Sequence, residues 1–216
     1  MNRTAIRIIL VDDHAVVRAG FRRLLEQQPD IQVVADAGDG DHAYSLFVEH
    51  KPDVVVMDLS MPGVSGLETI RRIVGREPLA RILVFSMHED ASLAERAIQL
   101  GARGYVTKSS APETLAVAVA EVAAGKLYLS SDIAKSIAIL KLTGDSNPIN
   151  TLSAREFEIY RLIIAGRSLA DIAKVLNLSG KTVANYHTFI KHKLGIASDV
   201  ELVLLAVRHN MLDTPG

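Results

Sequence analysis

The chain has 216 residues, 49% of them apolar and 23% charged, with a formal net charge of −1, which fits one large or two small globular domains. It has no cysteine, which excludes a disulfide framework and a thiolate zinc site. No apolar run approaches the roughly 20 residues of a membrane span, and the N-terminus lacks the apolar core of a secretory signal, so we expect a cytoplasmic protein without membrane contact.

The first 125 residues alternate between apolar runs and amphipathic segments. Runs rich in β-branched residues predict buried strands at 6–11, 31–35, 53–58, 81–86 and 104–107. Apolar residues at helical spacing predict helices between them, at 14–27, 66–75, 90–100 and 112–124. The alternation predicts an α/β domain, residues 1–125, with a flavodoxin-like parallel five-stranded sheet in the order 2-1-3-4-5.

Polar residues stand at the carboxyl ends of four predicted strands. Asp12 and Asp13 follow the first strand, and Asp58 ends the third. Ser86 ends the fourth, and Lys108 follows the fifth. Because ligands bind beyond the carboxyl ends of parallel strands, these side chains should converge at one edge of the sheet. Such a group could bind Mg²⁺, attack phosphorus through Asp58 and hold phosphoryl oxygens through Lys108 and Ser86.

These motifs resemble the receiver domain of two-component response regulators. The resemblance covers residues 5 to about 125 and rests on Asp12-Asp13, Asp58-Leu-Ser-Met-Pro-Gly-Val-Ser-Gly66, Ser86 and Tyr105-Val-Thr-Lys108. It implies that Asp58 accepts a phosphoryl group from a sensor histidine kinase or a small phosphodonor. It also implies an Mg²⁺ ion bound by Asp13, Asp58 and the Ser60 backbone carbonyl, and by Asp12 through water.

The same resemblance implies a conformational switch near the acceptor. Ser86 and Tyr105 would form the switch pair, because a phosphate that draws the Ser86 hydroxyl inward leaves space for the Tyr105 ring. Ser60 and His88 lie two residues beyond Asp58 and Ser86. At these positions the resemblance implies an effect on the lifetime of the acyl phosphate.

The strand pattern ends near residue 125. Residues 126–150 are predicted to be a linker with an amphipathic helix, about 131–142, and a turn-rich stretch, 143–148. Four short helices are predicted beyond it, at 153–165, 169–176, 180–194 and 199–209. Ser153 and Glu156 have the spacing of a capping box. We expect residues 151–216 to form a separate, small all-α four-helix domain with a helix-turn-helix.

This second region resembles the LuxR-type output domain of NarL/FixJ-class response regulators, from 151 to about 210. The matching segments are Leu152-Ser-Ala-Arg-Glu-Phe-Glu-Ile159, Lys181-Thr-Val183 and Ile190-Lys-His-Lys-Leu-Gly-Ile196. Together the two resemblances imply a phosphorylation-dependent transcriptional regulator that binds promoter DNA as a dimer. Similar proteins often have Lys at the positions of Ala184 and Thr188 and His at Tyr186, so base contacts are not implied there.

The helix predicted at 180–194 should enter the major groove of DNA. No Asp or Glu occurs from Ile172 to Ser198. The residues expected to contact DNA phosphates are Lys181, Thr182, Lys191 and Lys193. Asn185 could bind adenine, and Thr188 or Phe189 could touch a thymine methyl group. Phe189 could instead pack against a neighbouring helix.

The last predicted helix, 199–209, is apolar nearly all round. A helix in so small a domain needs only one apolar stripe for the core. We therefore expect Val203 and Val207 to meet a second copy of the chain, although burial beneath the linker helix is an alternative.

Two other functions remain open. An aspartyl-phosphate hydrolase would need a second acid two residues after Asp58, where this chain has Ser60. A phosphorylation-independent DNA or protein adaptor would not need the complete acidic set. We therefore expect a regulator that accepts and slowly loses a phosphoryl group but is not a conventional enzyme.

Overall fold

The computed structural model describes residues 5–61, 63–142, 148–209 and 211. They form two compact units, one of the described residues up to Leu142 and one of those from Pro148 on. Within the described ranges, no helix is long and apolar enough to cross a membrane.

The first unit is built on a parallel sheet of six strands in the order β2-β1-β3-β4-β5-β6. The strands are β1 Ile6–Val11, β2 Ile31–Ala37, β3 Val54–Met57, β4 Ile82–Ser86, β5 Gly104–Thr107 and β6 Tyr128–Leu129. The parallel sheet and the order of the first five strands are confirmed. The sixth strand was not predicted, because two residues are too few to give a periodic signal.

Helices connect successive strands and cover the sheet. They are α1 Ala15–Leu25, α2 Gly40–His50, α3 Gly66–Arg76, α4 Ala91–Gln99, α5 Pro112–Ala123 and α6 Ser131–Leu142. Every residue of β3, β4 and β5 is buried, as expected for central strands covered on both faces. Side-chain caps fix the starts of α3 and α4, where Ser65 accepts from the Glu68 amide and Asp90 from the Ser92 amide.

The segment predicted as a linker is divided in the structure. Residues 126–142 belong to the first unit, because β6 pairs with β5 and α6 packs against α4. Gly104 permits the strand pairing, since a Cβ atom there would lie 2.9 Å from the Tyr128 carbonyl oxygen. The Ser130 amide then donates to the Tyr105 carbonyl (3.0 Å) just before α6 begins. Of the turn-rich stretch, residues 143–147 lie outside the described part of the chain.

The second unit is helical throughout its described residues, which confirms the predicted class. A short 3₁₀ helix, Pro148–Thr151, precedes α7 Ala154–Ile164, α8 Leu169–Val175, α9 Gly180–Leu194 and α10 Asp199–Arg208. The capping box of Ser153 and Glu156 is present. Asn177, with φ 51°, takes the left-handed conformation in the turn between α8 and α9. The buried hydroxyl of Tyr160 donates to the Leu202 carbonyl (3.1 Å) and ties α7 to α10.

Candidate functional site

One ammonium group bridges two carboxylates at the carboxyl edge of the sheet. Lys108 Nζ donates to Asp12 Oδ2 (2.6 Å) and to Asp58 Oδ2 (2.7 Å). The side chains are only 7%, 4% and 4% exposed, respectively. The predicted convergence of three residues from three different strand ends is therefore present as direct contact.

Strand register brings these residues together. Val11 of β1 pairs with Met57 of β3, so Asp12 and Asp58 follow side by side, and the Asp58 amide donates to the Val11 carbonyl (2.9 Å). The Lys108 amide likewise donates to the Ser86 carbonyl (2.8 Å). Each residue is thus positioned by its backbone, independently of the side-chain contacts.

The loop after β3 holds the other carboxylate oxygen of Asp58. Asp58 Oδ1 accepts from the amides of Leu59 (2.7 Å) and Ser60 (3.3 Å). Gly66 allows this loop to fold tightly, because a Cβ atom there would lie 2.2 Å from the Asp58 carbonyl oxygen. Oδ2 faces Lys108, so both oxygens of the carboxylate have defined partners.

Burial and charge act in opposite directions on these groups. Burial raises the pKa of Asp58 above its usual value, and the hydrogen bond and charge of Lys108 only partly offset this. Burial alone would lower the pKa of Lys108, but its bonds to Asp12 and Asp58 outweigh that effect, and the pKa is raised. Lys108 therefore stays a cation, while Asp58 holds its negative charge at a cost.

The residues beside this cluster offer oxygen ligands for a hard cation. Ligand atoms of Asp12, Asp13 and His14 all lie within 4.8 Å of one another. Asp13 Oδ1 is buried without a hydrogen bond, although His14 Nδ1 lies 2.8 Å away. A buried carboxylate oxygen of this kind needs a partner, and the donor set suits Mg²⁺. His14 was not predicted, since an exposed histidine gives no sequence signal of its own.

The predicted switch and lifetime residues form a second group, which meets at His88. The His88 amide donates to Ser86 Oγ (3.3 Å), and its carbonyl accepts from the Tyr105 hydroxyl (2.9 Å). Its ring nitrogen Nε2 lies 2.6 Å from Ser60 Oγ. Tyr105 is fully buried. Because the Ser60 amide also donates to Asp58, hydrogen bonds of Ser60 and His88 connect the Asp58 carboxylate to the Tyr105 hydroxyl.

An arginine that was not predicted supports the acidic edge. Arg18 of α1 donates to the Asp12 carbonyl (2.5 Å) and to Asp36 Oδ2 (2.7 Å). Burial would raise the pKa of Asp36, but bonds and charges from Arg18 and Arg22 outweigh it and lower the pKa. No local pattern indicates this contact, because Asp36 lies 18 positions from Arg18 in the chain.

In the second unit, α9 has one buried side and one exposed side. Val183 and Ile190 are fully buried. The exposed residues of the helix are Gly180, Lys181, Ala184, Asn185, Thr188, Phe189, His192 and Lys193. Phe189 is 62% exposed, so the alternative that its ring packs against a neighbouring helix is wrong. Thr182 is half-buried next to the Ser179 cap, which accepts from its amide (3.0 Å).

Two of the predicted phosphate contacts have acidic partners within the unit. Lys191 Nζ lies 3.2 Å from Asp199 Oδ1, which is also 2.7 Å from His187 Nε2. Lys193 Nζ lies 2.8 Å from Glu156 Oε2, the carboxylate of the capping box. Both acids lie outside the acid-free stretch 172–198, so no local pattern indicates the pairing.

The last helix has the second apolar face that was predicted. Leu202 and Ala206 are fully buried, whereas Val203 and Val207 are 37% and 38% exposed. Val200 and Leu204 add to the exposed apolar surface. Burial of Val203 and Val207 within the described chain is therefore incomplete.

Both units match known protein families. Residues 8–120 match the response regulator receiver domain, and residues 150–206 match the bacterial regulatory proteins of the luxR family. The response regulator UvrY of Escherichia coli is 39% identical over 95% of each chain, and GacA of Pseudomonas aeruginosa is 40% identical over 96% of this chain and 98% of its own. RcsB of Salmonella enterica, solved on promoter DNA with a beryllium fluoride phosphomimetic, is 28% identical with a TM-score of 0.68 over 94% of this chain and 98% of its own.

Proposed function

This chain belongs to the NarL/FixJ-class response regulators, which join a receiver domain to a LuxR-type DNA-binding domain, and we propose that phosphorylation of Asp58 controls its binding to promoter DNA. The observation that carries the proposal is the Asp12–Lys108–Asp58 cluster, because a buried carboxylate beside a fixed cation is equipped to accept a phosphoryl group. The donor would be a sensor histidine kinase or a small acyl phosphate.

The transfer is a nucleophilic displacement at phosphorus. An oxygen of the Asp58 carboxylate attacks the phosphorus of a phosphohistidine, the new O–P bond forms as the P–N bond breaks, and the departing imidazole nitrogen keeps the electron pair. The Lys108 ammonium contacts Asp58 and can donate a hydrogen bond to one oxygen of the transferred phosphoryl group. The Ser86 hydroxyl can donate a hydrogen bond to a second phosphoryl oxygen.

Mg²⁺ fits the acidic edge as the cofactor. Asp12, Asp13 and Asp58 and the Ser60 carbonyl would hold it, and it would neutralise charge on the transferred group. The buried Oδ1 of Asp13, which accepts no hydrogen bond and lies 2.8 Å from His14 Nδ1, supports this assignment. Lys108 must then share Asp12 and Asp58 with the ion.

The residues around His88 support a switch and a tuned lifetime. Ser86 and Tyr105 both bind the His88 backbone, so a displacement of the Ser86 hydroxyl toward a phosphate would disturb the Tyr105 contact. Ser60 and His88 touch each other beside the acceptor, where they can order or exclude the water that hydrolyses the acyl phosphate.

The output would be DNA binding by a dimer in the cytoplasm. We assign phosphate contacts to Lys181 and Thr182 and, where their intramolecular pairs open, to Lys191 and Lys193. Asn185 and Thr188 lie on the exposed side of α9 and can reach base edges. Val203 and Val207 would form the dimer face.

Genome-wide DNA footprinting of the wild type beside Asp58→Ala tests the proposal. We expect the variant to lose signal-dependent occupancy, and radiolabelled acetyl phosphate to label only the wild type. Equal occupancy with normal labelling of the wild type would favour a phosphorylation-independent adaptor. Sustained turnover of added phosphate esters would favour a hydrolase, which Ser60 argues against because it has no carboxylic acid to serve as general acid.

A further inference from the structure

The outward side of α9 has an unusual chemical character. From Thr182 to Ile190 the helix contains no lysine, arginine or acid, and its imidazole, that of His187, lies 2.7 Å from Asp199 Oδ1. The lysines that follow, Lys191 and Lys193, are paired with acids. The middle of the helix therefore cannot bind guanine through a cationic fork, which is the commonest base-specific contact.

Phe189 is the exception among the aromatic residues of this chain. All five Phe and five Tyr lie in the described ranges, and Phe189 alone is exposed. Phe189 is 62% exposed, and contact of an apolar ring with water is unfavourable unless another surface covers it. The ring lies on α9, the helix expected to enter the major groove, one turn beyond Asn185.

The neighbouring side chains extend the apolar surface. The Thr188 hydroxyl donates to the Ala184 carbonyl (3.1 Å), so it is occupied within the helix. Ala184 and Thr188 are both exposed, so their methyl groups contribute to the apolar surface of the helix. Between Ala184 and Phe189, the exposed side of the helix thus combines one amide, that of Asn185, with methyl groups and an aromatic ring.

We infer that Phe189 determines sequence specificity by packing against the 5-methyl group of a thymine, beside an adenine bound by Asn185. The inference rests on the proposed binding of promoter DNA and names the base pairs that it selects. Thymine is the base that presents a methyl group in the major groove, and Phe is among the side chains that contact it. Four residues advance a helix by about 6 Å, close to two base-pair steps, so the thymine lies within about two pairs of the adenine.

The test uses the full-length protein and single-base chemistry. Half-sites are selected from random DNA with beryllofluoride-treated wild type, and each thymine is then replaced by deoxyuridine, which removes only the 5-methyl group. We expect one thymine per half-site at which the replacement weakens binding about fourfold, the factor for one buried methyl-sized group. Phe189→Ala should bind the thymine and deoxyuridine duplexes equally at that position.

Asn185→Ala is the matched control, because it should lose the adenine preference and keep the methyl effect. Phe189 carries no charge, so Phe189→Ala should leave the salt dependence of binding unchanged. Persistence of the deoxyuridine effect in Phe189→Ala, or no effect at any thymine, would overturn the inference. So would a changed association state of Phe189→Ala with unaltered selectivity, which would make the ring a protein contact. Wild type that selects no site at all would instead contradict the proposed function.

Discussion

Replacing Lys108 by Met should destabilise the receiver unit in a pH-dependent way. Methionine keeps an apolar stem of similar length but leaves the carboxylates of Asp12 and Asp58 without the ammonium they share. Breaking a buried ion pair by removing one partner costs about 3–5 kcal/mol. All three side chains are less than a tenth exposed, so solvent screens them little. We expect about 3 kcal/mol at neutral pH, the lower end, because water can reach the edge of the site through the partly exposed Asp13.

The sign of the pH dependence follows from Asp58. Burial already raises its pKa in the folded protein, and removal of Lys108 takes away the bonds that partly offset this. The folded variant therefore binds protons that the unfolded chain releases, and its stability falls as pH rises above the unfolded pKa of about 4. The difference in unfolding free energy between wild type and Lys108→Met should be largest at about pH 7.5 and smaller at about pH 5.

Urea unfolding followed by circular dichroism measures this difference. The control is Lys126→Met, which removes an exposed pair with Glu121 (2.9 Å) and should cost less than about 1 kcal/mol at either pH. Mg²⁺ should restore part of the stability of Lys108→Met, because it supplies positive charge to the same carboxylates. A loss that is the same at both pH values would refute the electrostatic explanation.

Two further predictions concern residues that the sequence alone would misassign or overlook. Lys181→Ala should lower the slope of log affinity for DNA against log salt by about 1 and leave the stability unchanged. Lys193→Ala should mainly lower the melting temperature of the second unit, because it leaves the buried Glu156 without its cationic partner. Equal salt slopes for the wild type and both variants would contradict the predicted role of Lys181. Gly104→Ala should lower the free energy of unfolding by about 1–3 kcal/mol, because the new methyl group would lie 2.9 Å from the Tyr128 carbonyl oxygen of β6. It should also speed hydrogen exchange at the Ser130 amide, which bonds to β5. Unchanged exchange would show that β6 tolerates the contact.

The fold of the first unit and the position of its acidic residues could be predicted from the order of strands and polar residues along the chain. Asp12, Asp58 and Lys108 could be predicted to converge because parallel strands place all their carboxyl ends at one edge, whatever the details of packing. The receiver and LuxR-type resemblances added the identity of the family. The helical second unit and the capping box at Ser153 also followed from local periodicity and spacing.

Only the tertiary structure decided which side chains meet across the sequence. Ser60, Ser86 and Tyr105 meet at His88, although up to 45 positions separate them in the chain, and no local pattern reports such a junction. The ammonium groups of Lys191 and Lys193 form ion pairs with Asp199 and Glu156, because helix packing brings these acids from other helices close to them. The same packing leaves the Phe189 ring in water. Periodicity fixes which face of a helix is apolar, but the neighbours of that face depend on contacts between residues far apart in the chain.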